Sequence, residues 1–403
     1  MTLTWSRKFL WLIAFAGFVR LAVALVTAIS PIPNEAGIPA SPFHVAPSSD
    51  LQVYRNSGDQ LFNNGLRGVI DSVSELYEGD IDRHRGILAA PLLPAMLLLF
   101  NYEENNTWPL ALFFVFLSIA TAGLWLWWFE KCGLATVWLV SFALLPHFIW
   151  FMINLGSDLL AAFFFAGFFI VFKSLQGHVR RYLWSFFFVG LLLLTRPNGI
   201  SVLIFVFASI LLLDTNLSPR ERIVLAIVFV LAYAPFLTFF LPYAVQFAVG
   251  SARLTYFGYT QAEYFSGVFG FSPQWLDLLA SWFALIAAKL VYLVGFRPSF
   301  GGVDTIFLFT RAAPSLFFLP GLIYLMARGD REDKWLVLIF IVPILAGGAQ
   351  DRYILPVQPI LFFYGVAAYQ DAWALIAARR ADFSVRESAM ALLLSKAFWW
   401  KRR

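Results

Sequence analysis

The chain has 403 residues, of which 60% are hydrophobic and only 13% charged, far from the balance of a soluble domain. Its formal charge of +5 does not point to nucleic acid, because the basic residues sit in short stretches between apolar runs and not in one patch. Cys132 is the only cysteine, which excludes intrachain disulfides and multi-cysteine metal sites.

Apolar runs recur along the chain, several reaching the ~20 residues needed to cross a bilayer. The expected fold is an all-α polytopic membrane protein forming a single membrane domain over 1–403, with no internal repeat and no low-complexity linker. The run 9–29 follows Arg7-Lys8 in the manner of a signal sequence. Ser30-Pro31 then leads into Pro-rich chain without a small-x-small cleavage site, so the run reads as an uncleaved anchor with a cytoplasmic N-terminus.

Residues 31–108 hold four Arg and no Lys against ten Asp or Glu, and belong outside as a long first extracytoplasmic loop. Within it, 50–64 reads as a surface helix with Leu51, Tyr54, Leu61 and Phe62 on or near one face. The apolar stretch 87–100, interrupted by Pro91 and Pro94, suits a helix lying on or dipping into the outer leaflet. Spans are expected at 109–129 and 134–153, with Glu130-Lys131 inside. A further span emerges from the outer Asn154 to Asp158 stretch and ends near Lys173. Two short spans, 182–195 and 199–213, are joined outside, and a long span starts at Arg220-Glu221-Arg222.

The stretch 245–303 reads as a second external or re-entrant region. Keeping its apolar segment 275–296 at the outer interface places the charged turn 328–334 inside, Gln350 to Tyr353 outside and the basic tail 379–403 inside. The count is then about ten spans, or eleven if 275–296 crosses. The end of the chain, 381–403, closes on Trp399-Trp400-Lys401-Arg402-Arg403 and reads as a cytoplasmic basic tail lying on anionic lipid.

With that topology, Asp50, Asp158, Arg196 and Arg352 all fall at outer helix ends, where charges usually face a cavity or a partner. Each alone also fits a helix cap or an interfacial ion pair; their gathering on one side from distant parts of the chain points to a shared site.

The residues around these charges form a recognisable set. Ser49-Asp50-x-x-x-Tyr54 resembles the first-loop acidic motif of the GT-C membrane glycosyltransferases, in the branch of the dolichyl-phosphate-mannose protein mannosyltransferases and the lipid A aminoarabinose transferases. Arg85-Gly86-Ile87-Leu88-Ala89-Ala90-Pro91-Leu92-Leu93-Pro94 is similar to the basic, Pro-rich stretch before a surface helix in that branch. It departs in a gap before Pro91 and in Leu93 where an aromatic is common. Asn154-Leu155-Gly156-Ser157-Asp158 resembles the second external acidic motif, Thr195-Arg196-Pro197-Asn198-Gly199 the Arg-Pro turn, and Asp351-Arg352-Tyr353-Ile354-Leu355-Pro356-x-x-Pro359 the late Arg-Tyr-x-x-Pro motif. The islands cover 50–359 in the family's order.

The resemblance implies a GT-C-like fold, a polyprenyl-phosphate sugar donor, inversion at the anomeric carbon and Asp50 as general base. The expected location is a bacterial plasma membrane, with the site facing outside and a protein, a glycolipid or a glycan as acceptor. The chemistry suits the residues, since a carboxylate at the water-facing membrane edge can take a hydroxyl proton and an Arg fork matches phosphate oxygens. Arg196 and Arg352 are candidates for the phosphate, or for pairing with Asp158 or Asp351. Arg85 is a candidate for the donor phosphate or a snorkelling side chain, and Tyr54 and Tyr353 are candidate substrate-side or packing aromatics. Asp158 could orient the acceptor, join Asp50 in holding a divalent cation, or cap the span behind it. No cofactor is required by the sequence, and nothing in the spacing requires a metal. His44, His84, Lys289 and Arg297 read as solvated or snorkelling side chains, and Asn105-Asn106-Thr107 as a chance sequon. Two rivals use similar charges: a transporter or flippase, and a glycan polymerase or ligase.

Overall fold

The computed structural model describes residues 6–33, 39–40, 92–100, 107–153, 156–175, 178–196, 199–253, 286–287, 290, 293, 305–346 and 354–380. These are almost wholly helical. The exception is an antiparallel pair of two-residue strands, β1 (Ile32–Pro33) and β2 (Pro39–Ala40), just after the first helix. Five helical stretches among them are long and apolar enough to cross a bilayer: Arg7–Ile29, Trp108–Lys131, Thr136–Ile153, Ser157–Ser174 and Gln358–Ala377. Gly199–Leu213 and Ala313–Arg328 are shorter apolar helices.

Helix α1 (Arg7–Ile29) starts at Ser6, whose hydroxyl accepts from the Phe9 N–H and donates to Glu130 at 2.7 Å, fixing the start of α1 to the end of another helix. Helix α2 (Leu92–Leu99) falls within the expected 87–100 surface helix; Pro94 sits in its first turn, where a missing N–H breaks no ladder bond. Helix α3 (Trp108–Lys131) ends in a Schellman turn. Gly133 takes φ 80°, its N–H donates to Glu130, and the Leu134 N–H reaches back to Phe129.

The expected span over 134–153 is present as the crossing-capable stretch Thr136–Ile153, and it is interrupted: it consists of two helices, α4 (Thr136–Ala143) and α5 (Pro146–Ile153). Pro146 has no N–H to continue the ladder, so the chain tightens, with the Leu145 N–H reaching only to Phe142, and restarts. Helices α6 (Ser157–Ser174) and α7 (His178–Thr195) pack side by side, with Gly167 leaving room for the Phe188 ring. Helix α8 (Gly199–Ala208) runs into a π-helical turn, Ser209–Leu213. Arg222 closes that turn from the next helix, donating to the carbonyls of Leu211, Asp214 and Leu217. Helix α9 (Pro219–Arg253) opens with a capping box: the Ser218 N–H meets Glu221 and the Glu221 N–H meets the Ser218 hydroxyl. It carries helix into the start of 245–303. Of the rest of that region only 286–287, 290 and 293 are described, and Leu290 and Leu293 reach the main core.

Helices α10 (Thr305–Arg328), α11 (Arg331–Ala346) and α12 (Gln358–Arg380) complete the bundle. The tightest pairing is α10 with α12. A Cβ on Gly321 would strike the Leu361 carbonyl, and one on Gly365 would strike that of Phe317, so glycine lets the two backbones touch. Helix α11 instead packs on α8. The main apolar core joins these helices except α2 through rings such as Trp125, Phe129, Phe165, Phe169 and Phe362, while Trp11, Phe18, Phe116 and Leu231 point outward as apolar groups. That is the pattern of a bundle solvated by hydrocarbon. The expectation of about ten spans also counts α7, α9 and α11, which are not in the long apolar set: α7 opens on the basic 178–181 and α11 has 16 residues. The tail 381–403 lies outside the described residues.

Candidate functional site

Asp158 and Arg196, forecast on separate spans, form an ion pair where α6 begins and α7 ends, with side chains 9% and 13% exposed. The sequence reading of Ser157-Asp158 as an N-cap is corrected: the cap residue is Gly156, with no side-chain cap bond. Asp158 instead lies in the first turn of α6, where a negative charge also meets the positive end of the helix dipole. The turn after Arg196 is closed by the Gly199 N–H donating to the Arg196 carbonyl. Gly199 packs against the backbone of Leu192 and Leu193 with no space for a Cβ.

The first loop returns to this pair. Leu93 and Leu97 of α2, one helical turn apart, are buried with Leu110, Phe114 and Leu117 of α3 and with Leu159 and Leu160, the residues directly after Asp158. Helix α2 also touches α7. Asp50, Tyr54, Arg85, Arg352 and Tyr353 lie outside the described residues, as do His44, His84, Lys289 and Arg297. Among the described residues there is no group of three His, Cys, Asp or Glu suited to a metal ion.

Two polar centres were not read from the sequence. The first is in the middle of the bundle. Arg20 is completely buried near the middle of α1; it donates to the Ser118 hydroxyl at 2.9 Å and to the carbonyls of Ala143 at 3.1 Å and Ala16 at 3.2 Å. A lone Arg inside an otherwise apolar first span was the available signal. Close to the same break, His147 at the head of α5 meets Gln358 at the head of α12, 3.3 Å apart, with both residues buried. The approach to Gln358 through 354–357 is buried as well, so the stretch that follows Arg352 runs into the interior.

The second centre is at the opposite end of α6. Lys173 meets Asp333 at 2.7 Å, Glu332 at 3.5 Å and Asp330 at 3.8 Å. Arg181 pairs with Glu332 at 2.7 Å, faces Asp214 at 3.9 Å and lies over the Phe172 ring. Tyr182 donates to Asp214, and Tyr364 donates to Asp333 while accepting from the Asp330 N–H. Burial raises the Asp330 carboxyl above its ordinary value, against the pull of Lys173 and with the push of Asp333 and Glu332. The sequence showed Arg181 and Asp330 to Asp333 only as parts of charged turns between spans, and Lys173 only as the end of one.

Compared with protein-family models, with curated proteins and with solved structures, the chain matches none. Any functional reading therefore rests on the motifs and on this geometry. Chemically, a carboxylate already engaged by a guanidinium serves best as an orienting group. Held from one side in this way, a guanidinium can turn its remaining donors to an anion.

Proposed function

We propose that this protein is a membrane glycosyltransferase of the GT-C kind. In this reading it moves a sugar from a polyprenyl-phosphate donor to an extracytoplasmic acceptor, in a bundle of about ten spans with both termini cytoplasmic. The acceptor oxygen bonds to the anomeric carbon, Asp50 takes the hydroxyl proton, and the bond to phosphate breaks with its electron pair leaving on the polyprenyl phosphate. Arg196 and Arg352 receive that phosphate, Asp158 orients Arg196, and Arg85, Tyr54 and Tyr353 line the substrate side.

The observation that carries the reading is the meeting of α2, Asp158 and Arg196: the first loop, the second acidic motif and the Arg-Pro turn share one end of the bundle. Transfer from defined polyprenyl-phosphate sugars in nanodiscs tests it. Removing a general base costs about 10²–10⁴-fold, so Asp50→Asn should lose activity by that factor at normal folding. Full activity in that variant removes Asp50 from the role, and absence of transfer from every donor in the wild type removes the reading.

A second reading has an observation of its own. A span broken at 144–145 around a buried guanidinium is the kind of device transporters use. Movement of a labelled polyprenyl-phosphate lipid across proteoliposomes, without change to the sugar bond, would favour that reading.

A further inference from the structure

The Arg20 guanidinium is the least expected charge in the bundle. It is wholly buried, and among the described residues no carboxylate pairs with it; all three of its acceptors are neutral. Burying an ion this way is expensive, and an apolar side chain of similar volume would commonly be the more stable choice. What a methionine cannot do is donate hydrogen bonds. Two of Arg20's three acceptors are main-chain carbonyls, and one belongs to Ala143, the last residue of α4. The final carbonyls of a helix lack intrahelical donors, and at this depth no water replaces them. Pro146, which has no N–H for the Phe142 carbonyl, interrupts the ladder one residue from Ala143, and the Leu145 N–H turns back to Phe142 instead.

Helix α5 begins directly beyond this break. Its residues from His147 to Ile153 are buried almost all round, and it packs on α1, α3, α6 and α10. After Asn154 and Leu155 the chain reaches Gly156 and the first turn of α6, which holds Asp158. The angle at which α5 leaves α4 therefore sets where Asp158 arrives against Arg196. Arg20 fixes that angle from α1 and α3 at once, through Ala143 and Ser118, while His147 and Gln358 fasten the head of α5 to α12.

We propose that Arg20 is a positioning residue: by satisfying the Ala143 carbonyl it holds the broken span in the bend that delivers Asp158 to Arg196. The inference rests on the proposed function only in calling that pair part of a site; the bend itself is a property of the fold and is tested without substrate.

The test is cysteine accessibility in detergent, after Cys132→Ala removes the native thiol. The reporter at the pair is Ser157→Cys, 3% exposed beside Asp158, and the control is Ser185→Cys, 0% exposed on α7 towards Arg181. Arg20→Met should speed maleimide labelling at 157 about tenfold, equivalent to about 1.4 kcal/mol of easier local opening, and leave 185 within about twofold. Arg20→Lys, which keeps a donor, should recover at least half of that difference. Pro146→Ala restores an N–H and straightens the span, so it should speed labelling at 157 by itself, and Arg20→Met should then add nothing.

Unchanged labelling at 157 in folded Arg20→Met overturns the proposal, as does acceleration in folded Arg20→Lys as large as that in Arg20→Met. Equal acceleration at both reporters, or effects of Arg20→Met and Pro146→Ala that multiply, overturns it as well. Because no sugar donor is present, a failure of the glycosyltransferase reading leaves these rates untouched, and a failure here leaves transfer activity to be judged on its own assay.

Discussion

Lys173 and Arg20, both among the described residues, are cations that this bundle treats in opposite ways. Lys173 lies among Asp330, Glu332 and Asp333, with Arg181, Tyr182, Tyr364 and Asp214 extending the network, so charge there meets charge and the end of α6, the starts of α7 and α11, the residue after the π-helical turn and the second turn of α12 are joined. Arg20 meets only a hydroxyl and two carbonyls, so its charge meets backbone dipoles. The first arrangement rivets helices by their ends. The second spends a charge on one bend in one span. The difference teaches that burial alone does not identify function: the larger and more conspicuous ionic cluster is internally matched, whereas the solitary guanidinium sits where the chain is irregular.

The largest expected effect separates the two. Asp333→Ala removes the nearest partner of the largely buried Lys173 and the buried acceptor of the Tyr364 hydroxyl, and should lower unfolding stability by about 3 kcal/mol, read from thermal or denaturant unfolding in detergent. A loss under about 1 kcal/mol would show that the Lys173 network is not the rivet described. Arg20→Met should cost less, about 1–2 kcal/mol, because the loss of its hydrogen bonds is partly offset by relief from burying an ion. A loss as large as that of Asp333→Ala would erase the contrast. The smallest effect is expected where α10 and α12 carry the Arg328–Asp371 pair, with side chains 67% and 39% exposed: Arg328→Ala should move stability by no more than about 1 kcal/mol.

Legibility followed the same contrast. Helix positions were readable wherever apolar length decided them, as in Arg7–Ile29, Trp108–Lys131 and Ser157–Ser174. Asp158 and Arg196 could be suspected from their places at helix ends, and their pairing was one of the alternatives the sequence left open. The break at 144–145 was missed although Pro146 stands in plain view, because the run 134–153 is apolar enough to read as one span and many transmembrane helices absorb a proline. The Lys173 network was illegible for another reason. Its charged members come from separate turns and helix ends that each look locally solvated, and only packing shows that they face one another. His147 and Gln358 are alike in this respect: each is an ordinary polar residue until the other, 211 positions away, arrives beside it.

Chain order gives the Arg20 contacts a consequence in time. Ser118 follows Arg20 by 98 residues and Ala143 follows it by 123, so both appear long after α1 has been made. As the chain is threaded into a bilayer, the guanidinium has only its own Ala16 carbonyl to hold until α3 arrives. An isolated span with Arg at its centre inserts at a penalty of about 2.5–3.5 kcal/mol, which favours a first helix that lingers at the insertion site over one that drifts into lipid. Two of the three acceptors of Arg20 thus come from chain made at least 98 residues later, so its burial is completed only when distant parts of the sequence have come together.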